Sequence, residues 1–149
     1  MLRLRAATPD DESFVNDLTR TTMRPYVEAT WPDEESRERY YAINAFQLET
    51  TRIVCDGERA VGRLSVHGRV CEISLDDMHV IPEMQGRGIG TWILDTVKAE
   101  AEAQGLGITL ILLKTNPVRR LYERVGFEVF AQANRRYQMI YRVQDGDGA

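Results

Sequence analysis

A chain of 149 residues with 43% hydrophobic side chains has the length of one domain and enough apolar surface for a core that needs no disulfide or metal staple. Its 19 basic and 23 acidic residues, a formal net charge of −4, are interspersed, and without a basic block nucleic acid is excluded as an expected partner. Cys55 and Cys71 form no C-x-x-C pair, so no metal site is expected and both are read as buried, reduced thiols; with no signal core after Met1 and no run near the ~18 apolar residues of a membrane span, a soluble cytoplasmic protein is the expectation.

Leu2, Leu4 and Ala6 alternate with Arg3 and Arg5, which predicts a short strand with one buried face. Thr8 and Pro9 then supply an N-cap and a proline at the first helical position, predicting a helix to about Arg20 that buries Phe14, Val15 and Leu18. From Thr21 to Pro32 the pattern lapses around Pro25, and this segment reads as a loop carrying Tyr26, Glu28 and Trp31. Asp33, Glu34 and Glu35 put negative charge at the start of a second helix, which is expected to continue to about Glu49.

The period then changes to two. Arg52 to Cys55, Ala60 to His67 and Val70 to Val80 predict three strands of an antiparallel meander, turning at Asp56-Gly57 and Gly68. A helix follows the glycine cluster at Gly86, Gly88 and Gly90 and ends before Gly105. Ile108 to Leu113 is continuously apolar, as in a central strand buried on both faces. Val118, Leu121, Tyr122 and Val125 have helical spacing before Gly126, and Phe127 to Ala131 and Tyr137 to Val143 form a last pair across Asn134 to Arg136. Residues 1–143 thus read as a single α+β domain, with 144–149 as a frayed polar tail.

The glycine cluster carries the chemistry. Ile89, Ile93, Val97 and Ala101 recur every four residues after it, so it opens a helix and is not a hairpin turn. Glycines there permit positive φ and let several N–H groups converge at the positive end of the helix dipole, where an anion such as a pyrophosphate is favoured. Thr91 stands where the dinucleotide pattern needs glycine or alanine, and no Lys-Ser or Lys-Thr follows as a triphosphate loop requires.

Gln85-Gly-Arg-Gly-Ile-Gly90 resembles the Q-x-x-G-x-G signature of the GNAT superfamily of N-acetyltransferases, and Asn116 to Phe127 resembles that family's second hallmark segment. The resemblance extends to the element order β-α-α-β-β-β-α-β-α-β-β. It implies a mixed, mostly antiparallel sheet flanked by helices, with splayed fourth and fifth strands between which the pantetheine arm of acetyl-coenzyme A lies. It further implies that Met78, His79 and Val80 bind that arm, that Gln85, Gly86, Arg87, Gly88, Ile89, Gly90 and Thr91 bind the pyrophosphate, and that Asn116 contacts the cofactor. Asn116 stands six residues before Tyr122, one fewer than in many members.

Acetyl transfer to a primary amine requires a neutral nucleophile, a stabilised oxyanion and a proton for the thiolate. Tyr122 resembles the family's general acid, and a phenol with pKa ~10 is protonated at neutral pH. A base is sought among Glu72, Asp76, Asp77 and His79 on or near the fourth strand; Asp76 is favoured, and a bulge there would exchange the faces beyond it. His67 reads as a solvated histidine beside a turn. Tyr26, Glu28 and Trp31 are expected to cover the acceptor site, with Glu28 attracting the amine. The expected partners are acetyl-coenzyme A and an amine acceptor, with no metal and no membrane. A homodimer and a non-catalytic acyl-coenzyme A sensor stay open, and the acceptor's identity does not follow from the chain.

Overall fold

The computed structural model describes residues 1–143, so the expectation for 144–149 lies outside the described residues. In chain order the elements are β1 (Leu2–Ala6), α1 (Glu12–Thr30), α2 (Glu34–Ile43), β2 (Thr51–Asp56), β3 (Arg59–Gly68), β4 (Glu72–Val80), α3 (Ile89–Gln104), β5 (Gly107–Leu113), α4 (Arg119–Arg124), β6 (Glu128–Gln132) and β7 (Arg136–Tyr141). Short 3-10 turns at Pro9–Asp11 and Pro82–Met84 introduce α1 and the glycine loop. The strands form one sheet in the order β1-β2-β3-β4-β5-β7-β6. Every neighbouring pair is antiparallel except β4 and β5, which are parallel.

The two faces of the sheet are covered by different helices. On β4, Met78 approaches Gly90 of α3 while the next residue, His79, reaches Thr22 of α1, so α3 and α1 lie on opposite sides. α3 buries Ile89, Ile93, Leu94, Val97 and Ala101 against Leu64, Leu75, Ile108 and Leu110 of the central strands. Gly105, at φ 68°, ends it in the left-handed conformation. β5 is buried at Ile108, Leu110, Leu112 and Leu113, but Ile111 is exposed, so the strand expected to be hidden on both faces opens to solvent at one point.

Two expectations about the helices are corrected. α1 does not end at Arg20; it runs to Thr30 straight through Pro25, so of the segment from Thr21 to Pro32 only Trp31 and Pro32 lie outside the helix. Val15, Thr19, Met23 and Val27, spaced four apart, are all buried, whereas Pro25 sits on the exposed side where one missing N–H is tolerated. Continuous packing thus outweighs a local helix breaker. α2 stops at Ile43 and not near Glu49, because the chain turns where the Asn44 carbonyl accepts from Arg63 at 2.8 Å. Cys55 is buried as expected, but Cys71 is exposed in the turn between β3 and β4.

β4 carries an irregularity that decides the geometry below. Ser65 pairs with Asp77 and Val66 with Leu75, which leaves Asp76 without a cross-strand partner. This β-bulge turns Asp76 and Asp77 toward the side already occupied by Ser74, whose hydroxyl donates to Asp76 at 2.8 Å.

Candidate active site

β4 and β5 pair only from Glu72–Leu75 to Gly107–Leu110. Beyond that point β4 stays with β3 as far as Val80 and β5 stays with β7 as far as Leu113, so the two strands diverge like an opened V. A cavity of about 540 Å³ occupies the opening and extends to the glycine loop, the first turn of α3, α4 and the middle of α1. A second cavity, of about 380 Å³, lies on the α2 side, lined by Tyr40, Arg63, Ser65, His67, Arg69 and Arg136 among others. Leu75, Asp76, Asp77, Leu112 and Leu113 line both. The divergence of the strands therefore joins a cavity near a helix N-terminus to a polar cavity on the opposite face.

The glycine loop leaves its backbone open on one side. Gly86 and Gly88 adopt φ values of 77° and 82°, and a Cβ at either would meet nothing within 4 Å, so the space above both is open. Gly90 is needed for a different reason, since its Cβ would lie 3.0 Å from Leu121 Cδ2 of α4. Gly88 caps α3, whose first-turn N–H groups, from Ile89, Gly90 and Thr91, have no partner within the helix. All three residues line the larger cavity, as do Met78, His79 and Val80. Gln85 donates its side-chain amide to the Val80 carbonyl at 3.0 Å, tying the loop to the end of β4, and Arg87 is exposed at its tip. Asn116 accepts from the Val118 N–H at 3.0 Å and lines the same cavity, so it shapes the entry to α4.

Tyr122 projects from α4 into the core end of this cavity, 7% exposed, its ring 5.6 Å from that of Phe127. Burial pushes its phenol well above the usual range, and the negative charge of Asp77 adds to the effect.

The four acidic or basic candidates on β4 separate in space. Glu72 sits at the closed end of the V, paired with Gly107, and lines neither cavity. Asp76 is part exposed and its Oδ2 lies 2.6 Å from His67 Nδ1, so His67 is held in an ion-pair geometry and is not free in solvent as its position beside a turn suggests. Asp77 is buried, 3.4 Å from the equally buried Arg63 and 3.6 Å from His79 Nε2. His79 Nδ1 lies 3.1 Å from Thr22 Oγ1, while its buried Nε2 has no hydrogen-bond partner. Among the described residues no group of three or more His, Cys, Asp or Glu side chains is placed to hold a metal ion.

The residues expected to cover an acceptor are dispersed along α1 and its end. Tyr26 lines the larger cavity, Glu28 is exposed and lines neither, and Trp31 packs on Tyr40 with ring centroids 5.8 Å apart. Three side chains not singled out from the sequence line the cavity on the α2 side: Tyr40, Arg63 and Arg136. Arg63 alone had a visible signal, an arginine flanked by apolar residues at Val61 and Leu64 in the middle of a strand.

A family model described as an acetyltransferase (GNAT) domain matches residues 47–129, and the chain belongs to that family. No curated protein sequence matches the chain significantly. Among solved structures the fold resembles PaiA N-acetyltransferase from Thermoplasma acidophilum in complex with coenzyme A, at 15% identity, TM-score 0.78, covering 95% of this chain and 99% of that one. It also resembles the ribosomal-protein-S18-alanine N-acetyltransferase from Escherichia coli, at 17% identity and TM-score 0.65, covering 100% and 99%. An acetyltransferase from Thermus thermophilus aligns at 18% identity and TM-score 0.71, covering 94% and 96%. The mixed sheet with parallel, splayed fourth and fifth strands is the fold expected from the sequence motifs.

Proposed function

We propose that this chain is an N-acetyltransferase that moves an acetyl group from acetyl-coenzyme A to a primary amine. The observation that carries this reading is the pair of cavities meeting at the point where β4 and β5 diverge, with Tyr122 beside the junction. The open space over Gly86 and Gly88 and the free N–H groups of Ile89, Gly90 and Thr91 fit a pyrophosphate. The edge of β4 from Met78 to Val80, unpaired toward β5, fits an amide-bearing arm, and Asn116 lies where the arm would pass. Acetyl-coenzyme A supplies an acetyl thioester there.

The amine enters from the α2 side and adds to the thioester carbonyl, so that a C–N bond forms as the C–S bond breaks. Its proton passes to Asp76 at the shared wall, and His67, 2.6 Å further out, leads to solvent. Tyr122, kept protonated by burial and by Asp77, donates its proton to the departing thiolate. Arg63 holds Asp77 in place as a positioning residue.

The test is thiol release from acetyl-coenzyme A by the purified protein against a panel of alkylamines, amino acids and short peptides. Turnover with any amine supports the reading. Binding of acetyl-coenzyme A without turnover across the panel would replace it with the sensor role.

A further inference from the structure

The cavity on the α2 side has a charge pattern that the transfer reaction does not require. A plain alkylammonium would be drawn by an acidic mouth, yet this one gathers Arg63, His67, Arg69 and Arg136 against two carboxylates, Asp76 and Asp77, in a chain whose net charge is −4. Arg63 is matched to Asp77 and His67 to Asp76. Among the described residues, no carboxylate pairs with Arg69 or Arg136.

Arg136 is the better placed of the two. It is half-buried at the start of β7, its guanidinium 5.3 Å above the Trp31 ring, and it acts on the neighbouring Tyr40 hydroxyl as a positive charge opposite in effect to Asp77. A cation–π contact at that distance uses none of the guanidinium's N–H groups as hydrogen-bond donors, which leaves them for a carboxylate acceptor. Arg69, exposed in the turn between β3 and β4, adds positive charge at the rim. The carboxylates thus stand at the shared wall, where the reacting amine must reach, and Arg136, cross-strand from Leu113, lines only the cavity on the α2 side.

We infer that the acceptor is a small zwitterion, a primary amine carrying a free carboxylate that Arg136 binds. The inference rests on the acetyltransferase reading above and names its substrate class. A cavity of about 380 Å³ is at the lower end of the range for small-molecule sites, which suits a molecule of amino-acid size. Polyamines, whose remaining charges are positive, are repelled by Arg136.

The experiment compares wild-type kcat/KM for free amino acids, including β-alanine and longer ω-amino acids, with the matched amino-acid amides and the matched decarboxylated alkylamines. The best acid should exceed its amide and its decarboxylated partner by at least about tenfold, the scale of one charge-assisted hydrogen bond. Arg136→Gln should raise KM for that acid roughly tenfold to a hundredfold with kcat little changed, and Arg136→Lys should restore part of the loss. Coenzyme A affinity and melting temperature establish that each variant is folded. Equal or better use of amides and alkylamines, or an unaltered preference in folded Arg136→Gln, overturns the zwitterion while leaving the acetyltransferase standing. Absence of thiol release with every amine overturns both.

Discussion

The Arg63 guanidinium lies 3.4 Å from the Asp77 carboxylate, and both side chains are buried between the sheet and the α1–α2 layer. Arg63 also donates to Thr19 Oγ1 at 2.8 Å, to the Asn44 carbonyl at 2.8 Å and to Ser65 Oγ at 2.9 Å. One cation therefore joins α1, the end of α2, β3 and β4. Burial pushes its pKa down and the Asp77 charge opposes that shift.

Removing this cation leaves Asp77 buried without its partner. Arg63→Met is expected to cost about 3–5 kcal/mol, because the uncompensated carboxylate is worse than either a full ion pair or a fully apolar site. Chemical denaturation reads the loss directly. The double variant Arg63→Met with Asp77→Leu should recover most of it, and a failure to recover would mean that the hydrogen bonds of Arg63 carry more than its charge.

Tyr122→Phe separates transfer from binding. A proton given to the thiolate matters in the transition state, so kcat and kcat/KM should fall together by roughly 10²-fold or more, with acetyl-coenzyme A affinity nearly unchanged. The ring contact with Phe127 survives the substitution, and the melting temperature should hold within a degree or two. Full activity in the phenylalanine variant would remove Tyr122 from the mechanism.

Gly88→Val tests the loop. At φ 82° a β-branched residue is strained by about 1–3 kcal/mol, and its side chain would point into the open space over the N-terminus of α3. Titration calorimetry should show coenzyme A affinity reduced at least about tenfold in a protein that still folds and melts only a few degrees lower. Unchanged affinity would reduce the loop to a turn.

Asp11 gives a pH-dependent stability term remote from the site. Two bonds from Arg5, at 2.8 and 2.9 Å, and one from the Thr8 N–H hold its carboxyl at a pKa of about 2, against the pull of burial in the other direction. A folded-state pKa below the unfolded value of ~3.9 contributes stability above that value and loses it as pH falls toward 2. Because Arg5 is about a third exposed, the contribution is discounted to about 1–2 kcal/mol at pH 7. Thermal melts of Asp11→Asn should lie below wild type by roughly 2–8 °C at pH 7, and the gap should close between pH 4 and pH 2. A gap that persists at pH 2 would assign the loss to packing.

Much of the scaffold was legible because its demands are local. Left-handed glycines at Gly86 and Gly88, the four-residue apolar repeat from Ile89 to Ala101 and the left-handed stop at Gly105 are each dictated by a few neighbouring residues. The order of strands and helices follows from the change of period along the chain, and two motifs at opposite ends of one helix–strand unit point to the family. α1 was misread at Pro25 for a tertiary reason: only the packed sheet shows that Met23 and Val27 have a surface to bury against and that the proline faces out.

The site divides along the same line. Gln85 to Thr91 and Tyr122 were singled out by resemblance to short motifs, which are legible because a glycine loop and a short helix each present their groups through local backbone geometry. The β-bulge at Asp76 could not, because a one-residue slip between β3 and β4 is a property of the pairing, and it decides that Asp76 turns to His67 while Asp77 turns to Arg63. Glu28 carries the charge expected of an acceptor site, yet α1 continues as a helix and points that charge at solvent. Arg136, distant in sequence from Tyr40 and Trp31, meets both because β7 pairs with β5, and only that pairing places this cation at the cavity on the α2 side.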